Sequence, residues 1–119
     1  MNADRLISKV KAHPSFEQVG MILCHNGVVR GTSRDGRKVT GLRVAVDRSR
    51  LAQVLAAHRD RAGIVDIQVE IAADTDLVVG DDVMMLVVAG DIRENVIDAL
   101  TDTLNAIKTT VTAKTEFFA

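Results

Sequence analysis

Tryptophan and tyrosine are missing from this chain, and aromatic residues make up only 3% of its 119 positions. Its core must therefore be assembled from Val, Ile, Leu, Ala and Met. A single cysteine, Cys24, excludes an internal disulfide and a multi-cysteine metal site. The charges nearly cancel, at a formal net −1, so the whole molecule projects no field that would gather nucleic acid or an acidic membrane. No run approaches the ~20 apolar residues of a membrane-spanning helix. The N-terminus is polar and lacks the apolar core of a secretory signal, so the expected compartment is the cytoplasm. Also missing are a phosphate-binding Walker loop, a dinucleotide glycine fingerprint and a histidine pair at metal-ligand spacing.

What is present has a clear order. Hydrophobic residues account for 47% and charged residues for 26%, as in a globular protein, and the length suits one domain over residues 1–119. Residues 4–12 suit a short helix with Leu6, Ile7 and Val10 inward, stopped at His13-Pro14. Residues 19–25 form a continuous apolar run read as a buried strand, with Asn26-Gly27 marking a bend or bulge before Val28-Val29-Arg30. After a loop at 31–37, residues 38–46 resume as a strand with Leu42, Val44 and Val46 on one face. Asp47 is placed to cap a helix running to about Ala62, where Gly63 stops it.

Beyond that helix, Val65, Ile67, Val69 and Ile71 alternate with Asp66, Gln68 and Glu70, the mark of a strand with one buried and one wet face. A connection from Asp74 to Asp82 holds the short apolar piece Leu77-Val78-Val79. Residues 83–89 read as a strand buried on both faces. Asp91 and Glu94 have capping-box spacing for a helix to about Lys108, with Val96, Ile97, Leu100, Leu104 and Ile107 on its core side. Residues 111–118 close the chain as a strand. The predicted architecture is α+β, a two-layer sandwich with a ferredoxin-like core and an added β-hairpin, of α/β-hammerhead type.

The candidates for chemistry are few. Cys24 reads as a small core residue and His25 as a structural one. The two are adjacent in a strand, so they face opposite ways and cannot form a nucleophile–base pair. His58 falls on the inner side of its helix, and His13 at the surface. Asp74, Asp76, Asp81 and Asp82 share one connection, but their spacing matches no calcium loop, and a solvated acidic turn accounts for them. The basic residues are more suggestive. Arg30, Arg93, Lys108 and Lys114 come from separated segments where strand ends meet helix ends. Convergence would make a pocket for a phosphorylated or otherwise anionic small ligand. Alternatively, Arg93 and Lys108 simply decorate the ends of one helix.

The run Gly20-Met21-Ile22-Leu23-Cys24-His25-Asn26-Gly27-Val28-Val29-Arg30 resembles the Gly-led strand and G-x-V-R motif of molybdopterin synthase catalytic (large) subunits. Leu77-Val78-Val79-Gly80-Asp81-Asp82-Val83 resembles that family's L-x-x-G-D-x-x, and Arg93, Lys108-Thr109 and Lys114-Thr115-Glu116 fall in order at its H-R, K-x and K-x-E positions. The resemblance covers about residues 16–118.

It implies an enzyme that transfers sulfur to cyclic pyranopterin monophosphate. The donor is the C-terminal Gly-Gly thiocarboxylate of a small ubiquitin-like carrier subunit. It further implies a homodimer with a carrier at each end, no metal and no cofactor. Lys108 would be the principal catalytic lysine and Lys114 the second, with Arg30 and Arg93 holding the substrate phosphate. Three departures accompany the likeness: Ile92 stands at the histidine of H-R, Val28 at the lysine of G-K-V-R, and the Lys108–Lys114 stretch is one residue short. The contrasting expectation is a non-catalytic α+β module of the same fold that binds a small anion or oligomerises.

Overall fold

A computed structural model describes residues 1–119. The chain runs α1 (Ala3–Lys11), β1 (Met21–Val28), β2 (Val39–Val46), α2 (Arg48–Arg59), β3 (Ile64–Ile71), β4 (Leu77–Val78), β5 (Asp82–Gly90), α3 (Arg93–Thr110) and β6 (Thr112–Phe118). The α+β class read from the pattern holds, with three helices on two small antiparallel sheets. One sheet has the order β1-β5-β3 and the other β4-β2-β6. The first keeps three strands of a ferredoxin-like arrangement, with the helical crossover through α2 between β1 and β3. The last strand departs from that plan: β6 pairs with β2, from Val46↔Thr112 to Val39↔Phe118. Leu77-Val78, expected as part of a connection, forms the two-residue β4 against Gly41 and Leu42. The molecule is elongated, at 49 × 25 × 23 Å, because the sheets carry separate cores.

β5 is the middle strand of the first sheet and is buried on both sides, as its unbroken apolar run predicts. Met84, Leu86 and Val88 pack with α2 and α3, in a cluster that includes Leu51, Val54, Ile67, Val96 and Ile107. Met85, Val87 and Ala89 face the other way, against Leu6 and Val10 of α1. Each such side chain, fully buried, contributes about 1.5–3 kcal/mol. The α1 helix also corrects one expectation. It lies over the polar face of β3, so Gln68 and Glu70 are half-buried rather than wet, and Arg5 reaches Glu70 at 2.9 Å. Asp66 is buried and accepts from the Ile67 N–H at 2.8 Å and the Gln68 amide at 3.0 Å.

The helix ends show which local signals prevailed. Asp47 caps α2 as predicted, accepting from the Arg50 N–H at 2.9 Å. That helix stops at Arg59 rather than Ala62, since the chain needs residues 60–63 to reverse. Gly63 takes φ +80°, and a side chain there would collide with Asn95 and Asp91. The Asp91–Glu94 capping box does not form. The N-cap of α3 is Ile92, the Asp91 carboxylate accepts from the Ile92 N–H and the Asn95 amide, and Glu94 pairs with Arg93. On α3 the core row is Val96, Ala99, Thr103 and Ile107, while Ile97 points outward. Cys24, expected inside, is exposed. It lies on the α1 face of edge strand β1, past Ile22, the last β1 side chain to join the α1 cluster. No helix is long and apolar enough to cross a membrane.

Candidate functional site

The two sheets meet along a groove. Its inner part is a cavity of about 310 Å³ lined by His25, Gly27 and Val28 of β1, Leu42 and Val44 of β2, Ile71, Val83 and Met84, Lys108 of α3, Thr112 and Lys114 of β6, and Arg34. Its mouth, about 400 Å³, adds Asn26, Arg30, Thr32 and Glu116. Apolar side chains make the floor and cations the rim.

Each cation is placed by a traceable local rule. Lys108 follows the fully buried Ile107 in the last turn of α3, so it leaves the helix at the edge of the core. Lys114 pairs with Val44 in the β2–β6 ladder, and neighbouring ladder residues share a face. Since Leu42, Val44 and Val46 turn inward, Lys114 and Glu116 do too; the short stretch after Lys108 does not reverse the lysine. Arg30 follows Val29, which is 2% exposed and pinned by its N–H to the Asp81 carbonyl at 2.9 Å. The Arg30 Nε donates to the Thr32 carbonyl at 2.7 Å. Arg34 escaped the sequence reading. It comes from a loop folded back by the Thr32↔Lys38 bridge and the Ser33 N–H to the Arg37 carbonyl at 2.9 Å, a closure only Gly36 at φ +88° hinted at.

Arg93 is the one predicted site residue that this chain does not bring to the groove. It sits at the opposite end of α3, about 22 Å from Lys108 at 1.5 Å per residue. It is largely exposed and bonds only Glu94, at 3.3 Å. Ile92 beside it is 54% exposed.

Within the groove the charge is unbalanced. Arg30, Arg34 and Lys108 form no ion pair, and Lys114 has only the loose contact with Glu116 at 3.9 Å. The acids of the 74–82 connection do not line the groove: Arg43 holds Asp76 at 3.1 Å, Asp81 accepts from the Val78 N–H at 2.9 Å, and Asp82 accepts from the Asn26 amide at 3.1 Å. Four cations against one carboxylate favour an anion. His25, expected to be structural, lies among them on the α3 face of β1. Burial first, and then the charge of Lys108, hold its imidazole below the usual histidine pKa.

The model of the MoaE protein family matches residues 1–110. This chain belongs to that family. Its role is in molybdenum cofactor biosynthesis, as an enzyme of that route. No curated protein matches the sequence. Among solved structures, the MoaE chain is similar to molybdopterin synthase from Staphylococcus aureus, at 20% identity and TM-score 0.74, covering 87% of this chain and 77% of that one. It is similar to molybdopterin cofactor biosynthesis protein E from Burkholderia multivorans, at 18% identity and TM-score 0.78, covering 100% and 82%. A third likeness is to a complex of subunits 1 and 2 of molybdopterin-converting factor from Helicobacter pylori, at 15% identity and TM-score 0.71, covering 100% and 84%. At these identities the structures share the fold. In this MoaE chain Val28 sets an exposed apolar side chain on the rim of the groove.

Proposed function

We propose that this MoaE chain, acting as one domain over residues 1–119, is the catalytic subunit of a molybdopterin synthase. It transfers sulfur from the C-terminal thiocarboxylate of a small ubiquitin-like carrier to cyclic pyranopterin monophosphate. The observation that carries this reading is the meeting of Lys108, Lys114, Arg30 and Arg34 around one groove with a single carboxylate nearby. Both reactants are anions. A phosphate suits the arginines at the mouth, whose planar guanidinium groups match its oxygens. A thiocarboxylate on a slender Gly-Gly tail suits the cavity beyond. Lys108 lines both parts of the groove, and its ammonium stabilises negative charge as the acyl carbon and sulfur exchange partners. Lys114 supports it from the facing strand. Neither step calls on a metal.

Arg93 fits this scheme only as a residue donated to the phosphate by a second copy of the chain, in the expected homodimer. The compartment that suits such a synthase is the cytoplasm.

The test is a single-turnover assay. Purified protein is mixed with the thiocarboxylated carrier and cyclic pyranopterin monophosphate, and molybdopterin is quantified, with Lys108→Ala alongside. Product that depends on Lys108 supports the synthase. A folded wild-type protein giving no product, beside a competent synthase as control, makes the chain a non-catalytic anion-binding relative.

A further inference from the structure

The Nε2 atom of His25 is buried and has no hydrogen-bond partner. Buried polar atoms are nearly always paired, so one left single at the wall of a groove marks a partner that arrives when the groove is in use. The ring is held in place by strand geometry. His25 pairs with Leu86 across the β1–β5 ladder and so faces α3, and its Nε2 reaches along β1 over Gly27. A Cβ at position 27 would lie 3.3 Å from that nitrogen, a tight contact that would make the ring give by a few tenths of an ångström. Glycine there leaves the imidazole its seat.

The neighbours narrow the choice of partner. The walls from β3 and β5 offer Ile71, Val83 and Met84, which carry no donor side chain. The charged groups that line the groove with the ring are Lys108 from α3, Lys114 and Glu116 from β6, Arg34 from the loop, and Arg30 after β1. Of these, Lys108 is the charge that His25 feels most. Its four-carbon stem carries three donors and swings freely, and it makes no ion pair that would hold it elsewhere. In its Nδ1–H tautomer the neutral imidazole offers one acceptor at Nε2.

We propose that His25 is the positioning residue for Lys108: on ligand entry the Lys108 ammonium donates a hydrogen bond to Nε2 of His25 and is thereby aimed at the reacting thiocarboxylate. This rests on the sulfur-transfer reading above. No bond to carbon or sulfur is made by the imidazole; its part is to accept a hydrogen bond. Protonation of His25 removes that acceptor and sets a like charge beside Lys108. Burial and the Lys108 charge hold that protonation below the usual histidine range, so activity falls as the solution is acidified.

Two measurements decide it. In the first, single-turnover rates of wild type, His25→Phe and His25→Gln are compared from pH 5 to pH 8. Phenylalanine keeps the ring volume and removes the acceptor; the expected loss is about 10-fold or more in rate constant, with affinity for the carrier unchanged, in line with losing a hydrogen bond to a charged group. Glutamine restores an acceptor that does not titrate, so it recovers most of the rate and abolishes the acid limb. His25→Phe at wild-type rate, or an acid limb that survives in His25→Gln, overturns the proposal.

The second measurement needs no catalysis. The His25 titration is followed by NMR in wild type and Lys108→Ala, with and without inorganic phosphate. Because the Lys108 charge alone already lowers the midpoint, a rise in the variant that is larger with phosphate than without it supports the contact, and a rise that phosphate does not enlarge, or an unmoved midpoint, overturns it. If wild type makes no product at all, the sulfur-transfer reading falls and the positioning role with it. If wild type is active and the His25 variants match it, only the positioning role falls.

Discussion

The two sheets of this protein are built from similar strands and treated very differently. The β1-β5-β3 sheet is covered on both sides and shares a cluster of 11 buried residues with α2 and α3 and one of 5 with α1. The β4-β2-β6 sheet relies on a cluster of four, Val29, Leu42, Val44 and Leu77. No helix covers the face that β2 and β6 turn toward the groove, and there β6 shows Thr112, Lys114 and Glu116 instead of a row of apolar side chains. The thick part supplies rigidity and the thin part supplies the wall on which cations stand. The groove lies where a second core was left incomplete.

That comparison is sharpest at the lysine. Lys108→Ala should lower the single-turnover rate by about 10²–10⁴-fold, the usual scale for a removed acid–base or charge-stabilising group, and leave Tm within a degree or two, since the side chain is exposed. A large fall in Tm would mean that Lys108 holds the fold.

Leu86→Ala, at the centre of the thick part, should cost about 2–5 kcal/mol. Leu42→Ala in the groove floor should cost less than Leu86→Ala, because water enters the space it leaves. Denaturant melts of the pair check this, and equal losses would erase the distinction between the parts.

A test of intermediate size concerns the two ends of α3. Mixing inactive Lys108→Ala chains with Arg93→Ala chains should regain activity if each groove borrows Arg93 from a second copy. Failure to regain it, or light scattering that finds only monomer at micromolar concentration, would leave Arg93 with no part in the groove.

The smallest effect is expected at His58. Its half-buried imidazole, whose Nδ1 lacks a partner, is held below the usual histidine pKa by burial and by Arg61. In the folded state the group therefore resists a proton that the unfolded chain accepts, and the folded form loses stability as pH falls below about 6.5. Thermal melts between pH 5 and 8 should show this acid slope weakened in His58→Gln.

How far the sequence was legible varies with the range of the interaction. The Asp47 cap, the burial of β5 and the inward face of Leu42, Val44 and Val46 are local consequences of side-chain period and turn chemistry, and pattern alone recovers them. Lys108, Lys114 and Arg30 were readable as cations at element ends, and the order of their motifs pointed to the family. Arg34 was not readable, because a loop residue's destination depends on how the loop closes. Cys24 was misjudged for a related reason: an apolar run says that a strand is buried, and not how far a helix covers it. Ile97, expected on the core side, points outward while Thr103 is buried, because the core row of α3 was set by its neighbours rather than by hydropathy.

The sequence by itself determined the α+β class, most element positions and a set of cations spread along 119 residues. Only the tertiary structure decided that β6 joins β2 rather than β1, and from that pairing everything at the groove follows. Strand pairing is a long-range choice among edges whose side chains look alike in sequence. Once made, its two-residue period sets which face Lys114 shows, while the length of α3 sets Lys108 at the groove and Arg93 at the far end.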